Sequence, residues 1–203
     1  VTQVVLVDYG SGNIRSLRWA MERAGATVTV SADPDVVQGA RRLMVPGQGA
    51  AGPAMATLRA RGLAPAIRDA VGSGAYLLGV CVGLQLLFDS SEENDATCFG
   101  FLPGRVTRLE GLARLPHMGW NDVTPVGPLH PLGHGLPFCA YFAHSFAVLD
   151  AGPATVAATT VDGVSFASVV AAGRVAGAQF HPERSAAAGL EMLRGFLEWS
   201  RAA

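Results

Sequence analysis

The chain has 203 residues, 50% of them hydrophobic and only 15% charged, so it can bury a full core and is not a disordered segment. Its 15 basic residues, all arginine, face 16 acidic ones for a formal charge of -1, which argues against a dedicated nucleic-acid or membrane-surface protein. The lack of lysine excludes a Schiff-base lysine, a phosphate-loop lysine and a lysine general base.

Val4–Val7 is an apolar run that predicts a buried strand, ending in the turn Asp8-Tyr9-Gly10-Ser11-Gly12-Asn13. No charged leader precedes it, and no stretch approaches the roughly 18 apolar residues of a membrane span. A cytoplasmic location is therefore expected. From Ile14 to Ala24 the spacing puts Ile14, Leu17 and Met21 on one helical face, and Gly25 ends the helix. Thr27–Ser31 predicts a second strand and Leu43–Val45 a third, stopped by Pro46-Gly47. Residues 53–72 predict a helix broken near Gly62 and Pro65. Tyr76–Val80 predicts a fourth strand, followed at once by the helical Val82–Phe88.

From about residue 104 prolines and glycines multiply. Short β-rich runs follow one another: Arg105–Leu109, Tyr141–Val148, Thr155–Thr160, Ser165–Ala171 and Val175–Phe180. An amphipathic helix, Ala187–Trp199, closes the chain. Strands alternating with helices imply parallel strands and right-handed crossovers. The expected fold is α/β, one domain over residues 1–203, with a mostly parallel twisted sheet flanked by helices and an antiparallel C-terminal extension.

Cys81, Cys98 and Cys139 are an odd number at wide spacings and fit neither a disulfide framework nor a zinc pattern. Cys81 stands apart because it follows a strand and precedes a helix in Gly79-Val80-Cys81-Val82-Gly83. That is the cysteine counterpart of the nucleophile elbow, in which glycines leave room for a sharp strand-to-helix turn. The helix beginning at Val82 would also turn its positive end to the sulfur. A buried structural cysteine in a glycine-rich turn fits the same residues.

A cysteine nucleophile needs a histidine to take and return protons, and that histidine needs a carboxylate to orient it. Gln179-Phe180-His181-Pro182-Glu183 supplies both from one loop at a strand end, the edge where Cys81 also lies. Val45-Pro46-Gly47-Gln48-Gly49 follows another strand. Its glycines let backbone N–H groups face a developing oxyanion together with the N–H of Val82. An ordinary tight turn is the simpler reading of Pro-Gly.

These three segments, in this order and spacing, resemble the class I (triad) glutamine amidotransferases, a flavodoxin-like fold. The family's Gly-x-Cys-x-Gly-x-Gln appears as Gly79 to Gln85 and its Phe-His-Pro-Glu as Phe180 to Glu183. Pro116-His117-Met118-Gly119-Trp120-Asn121, Tyr141-Phe142-Ala143-His144-Ser145-Phe146 and the opening Asp8–Asn13 turn narrow the resemblance to the glutaminase subunits of imidazole glycerol phosphate synthase, from histidine biosynthesis. Gln48, Val82 and Arg184 depart from the family's usual hydrophobic residue, leucine and lysine.

The resemblance implies Cys81, His181 and Glu183 as catalytic triad and Gly49 and Val82 as oxyanion donors. It implies glutamine as substrate, bound by Gly47, Gln85, His144, Ser145 and Phe146, with the His144 segment acting mainly through its backbone. No cofactor and no metal are expected. Ammonia would pass through a tunnel to a (β/α)₈ cyclase subunit in a heterodimer, with Asn13, Trp120 and Arg184 contributing to the interface. Core packing for Trp120 and helix capping for Asn13 are the plainer roles. A glutaminase serving another synthase, such as the pyridoxal-phosphate one, and a non-catalytic regulatory subunit are the rival readings.

Three features are set aside. Gly10-Ser11-Gly12, with Asp33 about twenty residues on, mimics a dinucleotide fingerprint, but Arg15 occupies the third glycine position. His130 and His134 have metal-like spacing without an evident third ligand and read as solvated loop residues. Cys98 and Cys139 read as packing residues.

Overall fold

A computed structural model describes residues 2–126, 130–133 and 137–201; His134 lies outside them. The first half alternates strands and helices: β1 (Thr2–Val7), α1 (Ile14–Ala24), β2 (Ala26–Ser31), α2 (Pro34–Gln38), β3 (Arg42–Val45), α3 (Ala51–Ala60), α4 (Leu63–Gly72), β4 (Tyr76–Val80) and α5 (Val82–Gln85). Short strands follow, β5 (Ser90–Ser91), β6 (Ala96–Thr97) and β7 (Arg105–Arg108). The chain then makes β8 (His117–Pro125), β9 (Phe138–His144), β10 (Phe146–Ala147), β11 (Thr155–Val161), β12 (Val164–Ala172) and β13 (Val175–Ala178), and closes with α6 (Ala186–Trp199).

Among the described residues the main sheet runs β2-β1-β3-β4-β13-β12-β11-β8-β9. The strands from β2 to β13 are parallel, and those from β13 to β9 pair antiparallel. This is the expected α/β sheet with its antiparallel extension, with one decisive detail. The last strand, β13, returns to the centre beside β4, with Gly177 opposite Gly79 and Ala178 opposite Val80. Both strands therefore end at the same edge, and Cys81 and His181 emerge side by side. Every residue of β4 is buried, as a central strand covered on both faces requires.

The elements differ from expectation where tertiary partners take over backbone groups. The helix over 53–72 is two helices, parted at Gly62, which is left-handed at φ 70°. Pro65 does not break the second; it sits in its first turn, where its missing N–H costs nothing. The helix expected to reach Phe88 stops at Gln85, because the carbonyls of Leu86, Leu87 and Phe88 accept from the N–H groups of Phe99, Phe101 and Gly100 instead. The run 141–148 divides at Ser145, whose carbonyl accepts from Leu109 N–H. Its first part stays in the main sheet, and β10 joins a small sheet, β10-β7-β5-β6. Four elements, α2, β5, β6 and β8, had no clear signal. The short α2 is capped by the Asp33 side chain, which accepts from Asp35 N–H, and the long β8 carries its hydrophobic residues out of period.

No helix among the described residues is long and apolar enough to cross a membrane.

Candidate active site

Cys81 occupies the turn between β4 and α5 with φ 55° and ψ -111°, a backbone conformation costly for a residue with a Cβ. Two glycines allow that turn by close approach. A Cβ on Gly79 would lie 2.4 Å from the Gly83 carbonyl oxygen, and one on Gly83 would lie 2.0 Å from the Val45 carbonyl oxygen. The sulfur is buried, 3.8 Å from Gln179 Nε2 and 4.0 Å from the Ala143 carbonyl oxygen. The N–H of Val82, at the helix start, makes no hydrogen bond among the described residues. With four residues, α5 is too short for the helix field expected at the sulfur to be a large influence. His181 is in hydrogen-bond contact with the sulfur.

His181 follows β13 and is tied down at both backbone ends. Its N–H donates to the Tyr141 carbonyl at 2.9 Å, and its carbonyl accepts from Ser185 Oγ at 2.7 Å. Ser185 Oγ in turn accepts from Tyr141 N–H at 3.0 Å, so one buried hydroxyl clamps the loop to β9. Beneath, Gly189 of α6 touches the loop: a Cβ there would lie 1.9 Å from the Pro182 carbonyl oxygen. His181 Nδ1 lies 3.0 Å from Glu183 Oε1, with the two side chains only 6% and 2% exposed. Burial by itself would lower the His181 pKa. Hydrogen bonds to Cys81 and Glu183, and the negative charge of both, outweigh it and raise the value to about 10. The ring thus meets the sulfur on one side and the carboxylate on the other.

The pocket in front of Cys81 holds about 220 Å³. Gln48, Gly49, Val82, Gln85, His144, Ser145, Phe146 and Arg184 are among the residues that line it. Gly49 has φ 86° and open space around its Cα, so glycine is needed there for conformation and not for room. Ser11 Oγ donates to the Gln48 carbonyl at 2.8 Å, which turns the N–H of the same trans peptide, that of Gly49, to the opposite side. Tyr9 Oη holds the preceding Pro46 carbonyl at 2.9 Å. Gly47 is not on the wall. It lies one layer behind, where a Cβ would be 2.5 Å from Gly83 N. Gly47 is thus packed under the elbow and outside the pocket lining.

Both ring nitrogens of His144 are taken, by the Phe146 carbonyl and by His117, so its side chain is not free for a ligand. Gln85 donates to the same Phe146 carbonyl at 2.8 Å, while its Oε1 is buried without a partner among the described residues. Glu93, which sequence reasoning missed, also lines the pocket. Its carboxylate accepts from Ala51 N–H at 3.0 Å, and burial pushes its pKa up, partly offset by that bond. No motif marks it, since it arrives from a short turn between β5 and β6.

Trp120 and Arg184 come together on the surface. The Arg184 guanidinium lies 4.3 Å from the Tyr141 ring centre, and Trp120, 52% exposed, meets Tyr141 edge-on. Core packing is thus excluded for Trp120. Asn13 precedes α1 without a side-chain cap bond, and α1 packs against the Pro182–Arg184 turn. Cys98 is buried, with burial raising its pKa to about 11, but Cys139 is exposed, so packing does not account for it. His130 is half-buried, with its ring edge-on to Trp199.

The family model for class-I glutamine amidotransferases matches residues 5–199. The chain is 44% identical to the HisH subunit of imidazole glycerol phosphate synthase from Methylococcus capsulatus, over 98% of this chain and 97% of that protein. To the HisH subunit from Symbiobacterium thermophilum it is 45% identical, over 99% of this chain and 94% of that one. Its fold is similar to a crystal structure of a glutamine amidotransferase at a TM-score of 0.77, with 23% identity over 97% of this chain and 98% of the other. The PurLQS structure from Thermotoga maritima gives a TM-score of 0.75 at 20% identity, covering 98% of each chain. On the near-complete span of the family model and the identity to these relatives, the chain belongs to the class-I glutamine amidotransferase family.

Proposed function

We propose that Cys81, His181 and Glu183 hydrolyse glutamine to glutamate, and that the ammonia released passes to a (β/α)₈ cyclase subunit bound as a heterodimer in the cytoplasm. The activity is that of the family: a glutamine amidotransferase working in histidine biosynthesis as the glutaminase subunit of an imidazole glycerol phosphate synthase. Residues 1–203 act as one amidotransferase domain.

The observation that carries the triad is the strained Cys81 turn beside a buried His181 whose other nitrogen is 3.0 Å from Glu183. The Cys81 sulfur attacks the side-chain carboxamide carbon, forming a C–S bond and placing negative charge on the amide oxygen. The N–H groups of Gly49 and Val82 receive that charge. His181 gives its proton to the amide nitrogen, the C–N bond breaks, and ammonia leaves a γ-glutamyl thioester. Neutral His181 then takes a proton from water, the hydroxide adds to the thioester, and Cys81 departs as thiolate with glutamate formed. Glu183 keeps the imidazole in one orientation throughout. Gln85 Oε1 and the Glu93 carboxylate, both acceptors at the pocket, suit the ammonium end of glutamine, and the backbone at Ser145-Phe146 borders the same end. Trp120, Arg184 and the Asn13 turn form the face that meets the cyclase.

The test is co-purification with the cyclase and an assay of glutamate release from the complex with the synthase-site ligand present. Cys81→Ala is expected to abolish glutamine-dependent synthesis while ammonia-dependent synthesis survives. Glutaminase activity retained in Cys81→Ala would remove the nucleophile assignment, and no association with the cyclase would remove the partner.

A further inference from the structure

β8 and β9 bring three polar side chains into a line that ends at the pocket. Asn121 Nδ2 lies 2.7 Å from His117 Nε2, His117 Nδ1 lies 3.1 Å from His144 Nε2, and His144 Nδ1 lies 2.9 Å from the Phe146 carbonyl oxygen. The two histidines are opposite one another in the strand register. Apolar rings close around them: Phe142 and Phe166 each pack on both imidazoles.

The carbonyl at the inner end sets the direction of every bond in the line. It only accepts, so His144 Nδ1 carries hydrogen. His144 is buried and its pKa falls to about 3, chiefly through burial, so the ring is neutral and its Nε2 accepts. His117 Nδ1 must then donate. Burial also lowers the His117 pKa, against a smaller opposing influence of Asp162, so its Nε2 is the acceptor that Asn121 Nδ2 requires. All four partners agree on one tautomer for each ring.

Beyond the Phe146 carbonyl the line continues into the pocket. Gln85 Nε2 donates to that carbonyl at 2.8 Å and lies 3.3 Å from Gln179 Oε1. With its NH₂ group placed against two acceptors, the Gln85 amide leaves Oε1 as the end without a partner among the described residues. Turned over, the same amide would present two donors where an ammonium has to bind.

We infer that His117 is a positioning residue for glutamine binding, acting through His144 and the Phe146 carbonyl to hold the Gln85 amide with its acceptor end toward the substrate's amino group. This rests on the reading of the Cys81 pocket as the glutamine site. Removing the His117 donor leaves His144 Nε2 an unpaired buried acceptor, and the ring regains a partner only by changing tautomer or rotamer and releasing the carbonyl. Cys81 and His181 lie outside the line from Asn121 to Gln85, and Gln179, which touches both the Gln85 amide and the sulfur, is held by its own backbone bond to the Ser168 carbonyl, so attack on a small electrophile is expected to change little.

The experiment compares two alkylating probes on the full chain, with labelling read at the Cys81 peptide because Cys139 is exposed. One probe is a chloroketone bearing the α-amino-acid end of glutamine, the other iodoacetamide. His117→Leu is expected to slow labelling by the chloroketone about tenfold, the loss of one buried hydrogen bond, and to leave iodoacetamide labelling unchanged. His117→Asn, which keeps a donor near the place of Nδ1, is expected to restore most of the chloroketone rate. Equal rates for wild type and His117→Leu with the chloroketone would overturn the inference. So would a parallel loss with both probes, which marks a merely structural role. If His117→Leu does not fold, Asn121→Leu cuts the same line at its half-buried outer end, and the same selective loss is required of it. Failure of wild-type Cys81 to react with the chloroketone, while it reacts with iodoacetamide, would instead overturn the glutamine-site reading itself.

Discussion

Cys81 and His181 are held by different means. Backbone strain and glycine contacts fix the cysteine, whereas hydrogen bonds at both ends of its peptide fix the histidine. Among the described residues the Glu183 carboxylate hydrogen-bonds to the imidazole alone, so its part is orientation and charge. We expect His181→Ala to remove glutaminase turnover almost completely and Glu183→Gln to be less damaging by roughly one to two orders of magnitude in kcat. Equal losses would mean that the carboxylate does more than position the ring. The buried histidines also shape stability against pH, in opposite directions. His181, raised from 6.5 to about 10, adds stability that is complete below pH 6.5 and fades as pH climbs toward 10. His144, lowered from 6.5 to about 3 mainly by burial, adds stability that is present above pH 6.5 and is lost as pH falls toward 3. Each pH unit below 6.5 therefore costs about 1.4 kcal/mol through His144. Denaturant unfolding of wild type and His144→Asn should show the gap between them narrowing at that rate on the acid side. A constant gap would contradict a neutral, buried His144.

At the scale of elements, the site depends on how closely helices approach the strand ends. α6 supports the His181 loop through Gly189, and α5 lies against β3 through Gly83. Two glycine-to-alanine changes within helices should thus have opposite signs. At Gly189 the added methyl group meets the Pro182 carbonyl at 1.9 Å, so the loop must move; a loss of about 1–3 kcal/mol and a fall in kcat are expected. At Gly72, near the end of α4, nothing lies within 4 Å, and alanine should stabilise the chain by about 0.5–1 kcal/mol with activity unchanged. Melting temperatures with glutaminase assays decide both. A neutral Gly189→Ala would mean that α6 and the loop are not in firm contact.

For the whole molecule, glutamine hydrolysis is expected to stay slow until the proposed partner can use the ammonia. The segment Pro46–Gly49 is attached to the turn before α1 by Tyr9 and Ser11, and α1 packs against the Pro182–Arg184 turn, near the Trp120–Tyr141–Arg184 cluster. The proposed cyclase face is thus mechanically close to the proposed oxyanion loop. Gly49, without neighbours around its Cα, lets a peptide there rotate at low steric cost. Loss of one oxyanion donor costs about 10²–10³ in rate. The isolated chain is expected to hydrolyse glutamine slowly, and the cyclase with its ligand should raise kcat by about that factor, more than it lowers KM. A high kcat for the isolated chain, unchanged by partner and ligand, would exclude the switch while leaving the triad standing.

Local patterns already determined much of this protein. Gly79-x-Cys81-x-Gly83 needs only the geometry of one strand, one turn and one helix, so the elbow was legible in five residues. The parallel strands and α1 were legible for the same reason, since periodicity and terminal glycines act within a few residues. Other features required chain-distant partners. Gln85 ended its helix because carbonyls beyond it found N–H groups at 99–101, and Glu93 reached the pocket from a turn without any motif. The close packing of Gly47 under the elbow depends on the approach of Gly83. The tautomers of His117 and His144 are set by a strand register that pairs residues 27 apart in the chain. Short-range sterics are written in consecutive residues. Close approach, burial and hydrogen-bond direction depend on which distant segments meet, and only the tertiary structure decides that.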